Sequence, residues 1–540
     1  MKVALTALDF LHRAELVYGD RVAVVDEPEQ PGGSLGRVTY GELASMARSL
    51  AVSLDDLALG PAERVAIVSP NAARFLVSLF GVSAYGRVIV PINFRLNAEE
   101  VRYIVGHSGA AVLLVDPEYA DALADIDVKH RILLGPSSDD ELFRRDGTPA
   151  LQVDDEETTA SINYTSGTTA RPKGVQITHR TLWLNATTFG WHAGIDDRDV
   201  YLHTLPMFHC NGWGLPYSLT AMGARHVVIR KIDGEEILRR VANEGVTFLA
   251  GAPAVVAAIL DAAAARRERG DEIPGRGRVR MVVAGAPPPS RVIERVETEL
   301  GWEFFQIYGL TETAPLLTIN RAREEWDDLD VAQRARLLSR AGAPAVGVRI
   351  DVDGGGEVLA RSNHVFEGYW DQPEETDKAI VDGWFHTGDG GEIDDAYLSI
   401  SDRKKDVIIS GGENVSSIEV EDCLYQHPLV AECGVIGVPD EKWGETVKAL
   451  VVLRDGATVT EEDLVDHCRE RLAHFKCPTS IEFRDDLPRT ATGKVQRNWG
   501  HKRHRLISKS KRGKRLRRGT TIMEPGDAKL VLTYMPYLRG

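Results

Sequence analysis

A regular alternation of apolar, strand-like runs with amphipathic, helix-like segments constrains the fold of this chain more than any other feature. From residue 64 onward, strands are predicted at 65–69, 88–92 and 111–115, with helices at 72–85 and 98–108 between them. Parallel strands need crossover helices, and continuously apolar runs are typical of strands buried on both faces. The pattern therefore predicts an α/β fold.

The alternation resumes after residue 200 and predicts a second layered sheet. Its predicted elements are strands at 200–205, 246–249, 279–284 and 303–308 and a helix at 235–244. A short charged run, Ser401-Asp-Arg-Lys-Lys-Asp406, then resembles an inter-domain hinge. About 100 residues of mixed helix and strand pattern follow this hinge. We therefore predict a large N-terminal domain at 1–401 and a small, mobile α+β domain at 402–500.

Composition places the chain among globular proteins of the cytoplasm. Apolar residues make up 43% of the sequence, and no run reaches the roughly 18 consecutive apolar residues that a transmembrane helix needs. Charged residues interrupt the N-terminus before a signal-like apolar core can form. The five cysteines lack CxxC spacing and favour neither a disulfide framework nor a zinc site. We expect no transmembrane segment and a cytoplasmic location.

The charge of the chain is unevenly distributed. The formal net charge is −16, yet residues 501–518 contain ten Lys or Arg and no acid, which leaves −26 on the rest. So acidic a body does not attract nucleic acid through its general field, and we expect no nucleic-acid partner. The tail at 501–540 is predicted to be a disordered basic extension, with binding of an anionic surface or RNA as the open alternative.

A loop rich in glycine and hydroxyl side chains points to phosphate binding. Residues 164–175 read Tyr-Thr-Ser-Gly-Thr-Thr-Ala-Arg-Pro-Lys-Gly-Val and are predicted to lie between an apolar strand and an amphipathic helix. Glycines let the backbone approach an anion, while hydroxyls, successive N–H groups and Lys173 add donors and charge. The common P-loop is excluded because no Ser or Thr follows the lysine. A solvated turn is the alternative for so polar a loop.

Three further clusters contain chemically useful residues. Phe305-Gln-Ile-Tyr-Gly-Leu-Thr-Glu-Thr313 ends a predicted strand, which is where open α/β sheets bind ligands, and Glu312 there is suited to Mg2+. Trp384-Phe-His-Thr-Gly-Asp389 places a carboxylate after a tight turn, suited to ribose hydroxyls. Pro488-Arg-Thr-Ala-Thr-Gly-Lys-Val495 puts Lys494 on an exposed loop. Taken singly, each is compatible with an ordinary turn, helix end or surface position.

Together, the order and content of these clusters closely resemble the adenylate-forming superfamily, and the resemblance covers roughly residues 10–500. It implies an adenylate-forming fold and two half-reactions: a carboxylate attacks the α-phosphate of ATP to give acyl-AMP and pyrophosphate, and a thiol then displaces AMP. ATP, Mg2+ and CoA are the implied cofactors and co-substrates. The implied ATP-binding residues are Thr165, Ser166, Gly167, Thr168, Thr169, Lys173, Gly285, Ala286, Pro287, Gln306, Tyr308, Gly309, Thr311, Asp389 and Arg403.

The resemblance also divides the roles among these residues. Thr165 and Glu312 would bind Mg2+, and the loop from 166 to 173 would hold the β- and γ-phosphates. Thr311 would contact the α-phosphate. Adenine would lie beside Tyr308, lined by 285–287 with Gln306 nearby, and Asp389 and Arg403 would bind ribose.

In this superfamily the small domain rotates between the two half-reactions. Lys494 would then stabilise the transition state of adenylation, and Lys405 would stand at the hinge. Gly411 and Gly412 would border the pantetheine tunnel after rotation, where glycines let the backbone lie against a thin ligand. A plain turn is the alternative for these two glycines.

The segment Leu205-Pro-Met-Phe-His-Cys-Asn-Gly-Trp213 resembles bacterial fatty acyl-CoA synthetases, plant benzoyl-type ligases and methylmercaptopropionyl-CoA ligases. His209 would lie at the acyl entrance and Cys210 near the pantetheine end. Trp213 matches a residue that gates the fatty-acid tunnel in long-chain members, with a packed core aromatic as the alternative. The leading expectation is an acyl-CoA ligase for a medium- or long-chain aliphatic acid.

Other functions stay open at this point. A ligase for a short or aromatic acid, or an acyl-AMP ligase that loads a carrier protein, fits the same clusters. A non-catalytic acyl or nucleotide sensor is disfavoured by the presence of Glu312, Asp389 and Lys494. The resemblance further suggests a homodimer. The pattern departs from the superfamily in a short stretch between Thr313 and Asp389 and in the tail after Gln496.

Overall fold

The computed structural model describes residues 2–165, 171–285, 288–403, 408–410, 413–440 and 444–487. Two large sheets, a smaller sheet and the sheet of the C-terminal part contain its strands. In chain order, the strands are β1 Val22–Val25, β2 Arg37–Thr39, β3 Arg64–Val68, β4 Val88–Ile92, β5 Ala110–Val115, β6 His130–Leu133, β7 Thr159–Thr165, β8 Lys173–Thr178, β9 Val200–His203, β10 Arg225–Val228, β11 Phe248–Gly251, β12 Arg280–Val283, β13 Glu303–Tyr308, β14 Thr318–Asn320, β15 Ala343–Pro344, β16 Arg349–Val352, β17 Glu357–Arg361, β18 Gly368–Tyr369, β19 Ile380–Val381, β20 Trp384–Asp394, β21 Tyr397–Arg403, β22 Ile408–Ser410, β23 Glu413–Val415, β24 Val430–Asp440, β25 Gly444–Leu453 and β26 Ser480–Phe483.

Helices connect these strands and cover the sheets. In chain order, the α-helices are α1 Ala7–Tyr18, α2 Tyr40–Asp56, α3 Ala73–Ser83, α4 Ala98–Ser108, α5 Pro136–Phe143, α6 His179–Ala193, α7 Leu215–Met222, α8 Gly234–Glu244, α9 Pro253–Arg269, α10 Ser290–Arg295, α11 Val331–Leu338, α12 Pro373–Ala379, α13 Ser417–Tyr425 and α14 Glu461–Arg469. Within the described ranges, no helix is long and apolar enough to cross a membrane.

Two sheets form the body of the large N-terminal part. One has the order β18-β8-β7-β4-β3-β5-β6, and the other β15-β14-β13-β12-β11-β9-β10-β1-β2. The strands from β3 to β6 pair in parallel, as do those from β9 to β13, and helices connect them. Such sheets are buried on both faces, which explains their continuously apolar sequences. The predicted α/β fold with layered sheets is therefore confirmed.

Helix α3 shows how tightly these layers pack. Every residue from Ala73 to Ser83 is buried, because α2 covers one side of the helix and a sheet the other. A Cβ on Gly81 would come within 2.9 Å of the backbone oxygen of Ala47 and as close to the side chain of Leu50. The glycine thus allows α2 and α3 to approach closely.

The candidate phosphate loop lies at the tip of a β-hairpin, which corrects one prediction. β7 pairs antiparallel with β8, with Thr165 opposite Lys173, so the loop leads into a second strand and not directly into a helix. Residues 173–178 form a short run, and from the sequence such a run can equally be a loop that leads into the helix. The helix, α6, begins only at His179, where the Thr178 hydroxyl accepts a hydrogen bond from the N–H of Thr181.

The C-terminal part has its own sheet and its own core. β24 and β25 form its long central hairpin, flanked by β22, β23 and β26, and α13 and α14 pack beside it. It contacts the large part through α10: the N–H of Ser290 donates to Asp422 at 3.3 Å, and Arg291 donates to the Gln426 carbonyl at 2.8 Å. A smaller α+β unit at the C-terminal end of the fold is thus confirmed, while the boundaries at 401 and 500 stay predictions.

Candidate active site

Lys173, the lysine of the candidate phosphate loop, lies at the start of β8 and forms an ion pair. Its Nζ is 2.5 Å from the carboxylate of Glu375 on α12. Hydrogen bonds from Lys173 and then Lys378 lower the pKa of Glu375 to about 2. The carboxylate is therefore charged at neutral pH and holds the lysine at the base of the loop.

Tyr369 connects this lysine to Glu312. The Nζ of Lys173 lies 4.6 Å from the centre of the Tyr369 ring, and the tyrosine hydroxyl donates to Glu312 Oε1 at 2.9 Å. Short strand β18 places the ring there by pairing with β8, with Tyr369 opposite Val175. The backbone of Glu312 is fixed as well, because its carbonyl accepts from the N–H of Phe366. Two sequence clusters more than 130 residues apart therefore meet at one point.

A second contact joins the clusters assigned to the nucleoside. The hydroxyl of Tyr308, at the end of β13, donates to Asp389 Oδ2 at 2.9 Å. Gly309 follows at a position where a Cβ would lie 1.4 Å from the carbonyl oxygen of Pro315, so only glycine fits. Gln306 is buried, and its Oε1 has no hydrogen-bond partner in the described part of the chain. The side of the site assigned to the nucleoside thus contains an unused buried acceptor.

Next to Thr311, the chain makes a left-handed turn. Cys210, Asn211, Gly212 and Trp213 all have positive φ, between 39° and 63°. Three of them are not glycine, and this conformation costs such residues on the order of 1–3 kcal/mol each. A Cβ on Gly214 would lie 2.5 Å from the amide nitrogen of Asn185.

Two buried amides hold this segment in place. The Asn71 side chain accepts from the N–H of Met207 and donates to the carbonyls of His203 and Leu205, at 2.8 to 3.0 Å. The Asn185 side chain donates to the Trp213 carbonyl and accepts from the N–H of Leu316. Both ends of each amide are used, so each amide cross-links backbone that would otherwise relax.

A small cavity lies beneath the turn. Its volume is about 10 Å3, roughly the space of one water molecule, and Cys210, Asn211, Tyr217 and Ala314 belong to its lining. The thiol of Cys210 contacts the carbonyl of Thr311 at 3.8 Å, which places the cavity next to Thr311 and Glu312. Burial, and to a lesser degree the charge of Glu312, raises the pKa of this thiol, so it remains a neutral lining group.

Comparison with known families fits this geometry. Residues 11–370 match the model of the AMP-binding enzyme family, and residues 419–494 match the model of its C-terminal domain. The chain belongs to the AMP-binding enzyme family. Both matched regions agree with the resemblance stated from the sequence.

Curated relatives of this AMP-binding enzyme are CoA ligases. A 4-hydroxybutyrate–CoA ligase from Metallosphaera sedula is 38% identical over 527 residues, which cover 91% of this chain and 93% of the relative. A 2-methylpropanoate–CoA ligase from Humulus lupulus is 36% identical over 537 residues, with 91% and 94% covered. The enzyme is therefore an acid–thiol ligase that forms acyl-CoA with the use of ATP.

The fold is also similar to a solved structure. The O-succinylbenzoate coenzyme A synthetase of Bacillus subtilis, in complex with ATP and magnesium ion, has a TM-score of 0.76 and 27% identity, with 91% of this chain and 98% of that chain covered. This likeness confirms the adenylate-forming fold of the AMP-binding enzyme.

The tail gives a different match. Residues 488–535 match the model of the ribosomal protein L35 family. This match overlaps the AMP-binding C-terminal domain at 488–494, so Lys494 lies in both. The match to the ribosomal protein family thus includes both the predicted catalytic lysine and the basic residues that follow it in the sequence.

The residues of this AMP-binding enzyme fit ATP and Mg2+. Mg2+ prefers oxygen ligands, is bound by one or two carboxylates, and keeps several of its waters. The Thr165 hydroxyl and the Glu312 carboxylate offer such oxygens, and no cluster of three or more His, Cys, Asp or Glu competes as a metal site among the residues described. The unpaired oxygen of buried Gln306 suits a donor on a ligand such as adenine.

Other predicted site residues fall in different places. His209 begins the left-handed turn, with its ring 6.5 Å from that of Phe208. Trp213 is 4% exposed and packs in the core. Gly285 has φ of 96° at the edge of the described chain.

The predicted residues that lie outside the described ranges are Ser166, Gly167, Thr168, Thr169, Ala286, Pro287, Lys405, Gly411, Gly412 and Lys494. Arg403 is described only as backbone, paired with Asp389 across β20 and β21.

Tyr369, Glu375 and Asn185 were missed from the sequence. The aromatic pair Tyr369-Trp370 after a glycine, followed by a proline and two acids, could have signalled the first two. No local signal marks Asn185, because a single amide inside an amphipathic helix is unremarkable until the fold places it beside the turn.

Replacement of Tyr369 by Phe should raise the concentration of Mg2+ that the enzyme requires. The variant loses one hydrogen bond to a charged carboxylate, so Glu312 is less well positioned and roughly tenfold more Mg2+ should be needed for half-maximal pyrophosphate exchange. Tyr308→Phe removes a hydrogen bond of the same length on the nucleoside side. It should raise the KM for ATP and leave the Mg2+ requirement unchanged. Equal Mg2+ requirements in Tyr369→Phe and the parent would contradict this role for Tyr369.

Proposed function

We propose that this acyl-CoA ligase activates a short-chain carboxylic acid. The observation that carries the proposal is the likeness to two relatives that are named as ligases of four-carbon acids, 4-hydroxybutyrate and 2-methylpropanoate. The medium- or long-chain acid expected from the sequence is therefore the less favoured substrate.

The buried Trp213 supports the proposal as well. A residue that gates a long tunnel must be able to swing aside, yet Trp213 is 4% exposed and packs in the core. The carbonyl of this residue is bonded to Asn185, which fixes the backbone of the turn. We therefore interpret Trp213 as a wall that limits the length of the acyl chain.

Charge control is the chemical problem of the first half-reaction, because a carboxylate attacks an anionic phosphate. Lys173 would bind the β- and γ-phosphates and leave its ion pair with Glu375 when they arrive. Mg2+, held by Thr165 and Glu312, would supply the positive charge that the developing pyrophosphate needs. Asp389, oriented by Tyr308, would bind ribose. Such prearranged charges act without reorganisation during the reaction.

The second half-reaction needs a thiol at the same site. We infer from the resemblance that Gly411 and Gly412 reach the site after the small domain rotates around Lys405, with His209 at the acyl entrance and Cys210 near the pantetheine. A carrier protein as an alternative acceptor, a homodimer and a cytoplasmic location stay predictions.

A panel of acids tests the proposed substrate class. With CoA and ATP, kcat/KM for butyrate or 2-methylpropanoate should exceed that for octanoate at least tenfold, and palmitate should not react. Leu182→Ala enlarges the cavity and should shift the preference toward longer acids. Ile259→Ala removes similar volume from the buried face of α9, which packs in a different core, and should leave the preference unchanged. Preference of the parent for octanoate or palmitate would refute the short-chain proposal.

Substitution of Lys494 tests the division between half-reactions. Lys494→Ala should lower carboxylate-dependent pyrophosphate exchange at least a hundredfold, because the charge that stabilises the transition state is lost. Formation of acyl-CoA from preformed acyl-AMP should be largely retained. Lys476→Ala removes a lysine that pairs with Glu419 in the same domain and should affect neither step. Equal loss of both steps in Lys494→Ala would overturn the assignment.

The tail supports a second candidate function, and here we depart from the expected absence of a nucleic-acid partner. We propose that residues 501–518 bind RNA. Ten basic residues without an acid, inside the match to a ribosomal protein family, favour contacts with phosphates.

Fluorescence anisotropy with a structured RNA tests this second function on the full chain. The parent should bind at 50 mM salt and weaken steeply by 200 mM, because counterion release dominates such binding. Replacement of the seven Lys and Arg between 509 and 518 by Gln should abolish binding and leave acyl-CoA formation intact. RNA binding that survives the replacement would exclude the tail as the binding segment.

A further inference from the structure

An open cavity of about 430 Å3 lies outside the candidate active site. The smaller sheet forms much of its wall through β16, β17 and the hairpin of β19 and β20, and the segment 362–366 completes it. None of the residues assigned above to ATP, Mg2+ or the acid belongs to this lining. Its volume is that of a pocket for a small molecule, for which about 300–1,000 Å3 is typical.

Two arginines of the lining lie directly opposite each other. Arg349 on β16 pairs with Arg361 on the antiparallel strand β17. Residues paired in this way project from the same face of the sheet, with Cβ atoms about 4.5–5.5 Å apart, and like charges there destabilise the pairing. An arginine cannot relieve the repulsion by losing its proton. The hairpin thus places two permanent positive charges side by side on one wall of the cavity.

Neither guanidinium has a partner within the protein as far as the structure describes it. Asp351 lies on the same face of β16, two residues beyond Arg349, yet it pairs with neither arginine and accepts from the N–H of Val352. The described lining contains no Asp or Glu. Arg230, by contrast, forms ion pairs with two carboxylates. The two opposed charges of the cavity are therefore left to be neutralised from outside the chain.

Two neutral side chains add donors to the same wall. The hydroxyl of Ser362 accepts from the N–H of His364 at 3.1 Å, which leaves its own proton for donation. The amide of Asn363 has no hydrogen-bond partner among the described residues and carries two further N–H groups. Guanidinium, hydroxyl and amide donors together match the oxygens of a phosphate group, to which arginine binds with two parallel hydrogen bonds.

The size of the cavity indicates that the phosphate carries an organic group. One water molecule occupies about 30 Å3 in the liquid, so a free phosphate ion, a few times larger, would leave most of the space unfilled. Apolar side chains, Val365, Phe366 and Phe385, belong to the rest of the lining. They suit the organic part of a phosphate ester.

We propose that this cavity is a second ligand site, which binds a small phosphate ester through Arg349 and Arg361. It is separate from the site proposed for ATP and does not depend on which acid is activated. The two sites are neighbours, because the N–H of Phe366 in the cavity lining donates to the carbonyl of Glu312.

Calorimetry with phenyl phosphate tests this site on the full chain. The enzyme is first saturated with Mg2+ and α,β-methylene-ATP, so that phosphate-binding groups of the active site are occupied. Phenyl phosphate should bind roughly tenfold more tightly than inorganic phosphate, which lacks the organic group, and than benzoate, which lacks the second negative charge. Ionic strength is kept constant because the basic tail attracts anions of every kind. Equal affinity for all three anions, or no binding of phenyl phosphate, would overturn the proposal.

Variants separate the cavity from other basic parts of the chain. Arg349→Gln and Arg361→Gln each remove one guanidinium and should weaken the binding of phenyl phosphate roughly tenfold. Arg278→Gln removes another exposed guanidinium without a partner in the described chain, outside the cavity lining, and should leave the affinity unchanged. Thermal unfolding shows that the compared variants fold. Unchanged affinity in folded Arg349→Gln and Arg361→Gln enzymes would assign the binding to another part of the protein and exclude this site.

Discussion

The site depends on the left-handed turn at 209–214 and on the two amides that hold it. Consecutive positive φ angles at non-glycine residues do not persist unless their surroundings enforce them. Here Asn71 fixes the approach to the turn, and Asn185 fixes its exit together with the chain at Leu316. Because Asn185 forms hydrogen bonds with both segments, the turn and the chain that follows Glu312 are held in one geometry. The strained backbone of the turn is thus kept in place by side chains from other elements.

A second set of contacts organises the charges. Lys173 contacts the ring of Tyr369, and the hydroxyl of Tyr369 donates to Glu312, although the three residues come from three regions of the sequence. The hydrogen bond from Lys173 lowers the pKa of Glu375, so the lysine and the carboxylate neutralise each other at this end of the site. Under the proposed function, a polyphosphate would compete with this carboxylate for the lysine.

The sequence predicts the regular parts of the fold well, and long-range contacts poorly. Strands Val88–Ile92 and Glu303–Tyr308 and helix Ala98–Ser108 agree with prediction to the residue, because apolar periodicity and the Asn97 cap define them locally. β8 was missed because its strand character comes from pairing with β7. The motif residues Glu312 and Asp389 could be found from their neighbours in sequence. Asn185 could not, since its role depends on its bond to Leu316, 131 residues further along the chain.

The division between charge chemistry and acid selection follows from these contacts. Every acid presents the same carboxylate to ATP, so under the proposed function Lys173, Glu312 and Asp389 would not distinguish one acid from another. Selection would instead depend on the wall that we propose for Trp213, whose backbone carbonyl accepts a hydrogen bond from Asn185. The same amide accepts from the N–H of Leu316, so the turn that places this wall and the chain that follows Glu312 share one anchor.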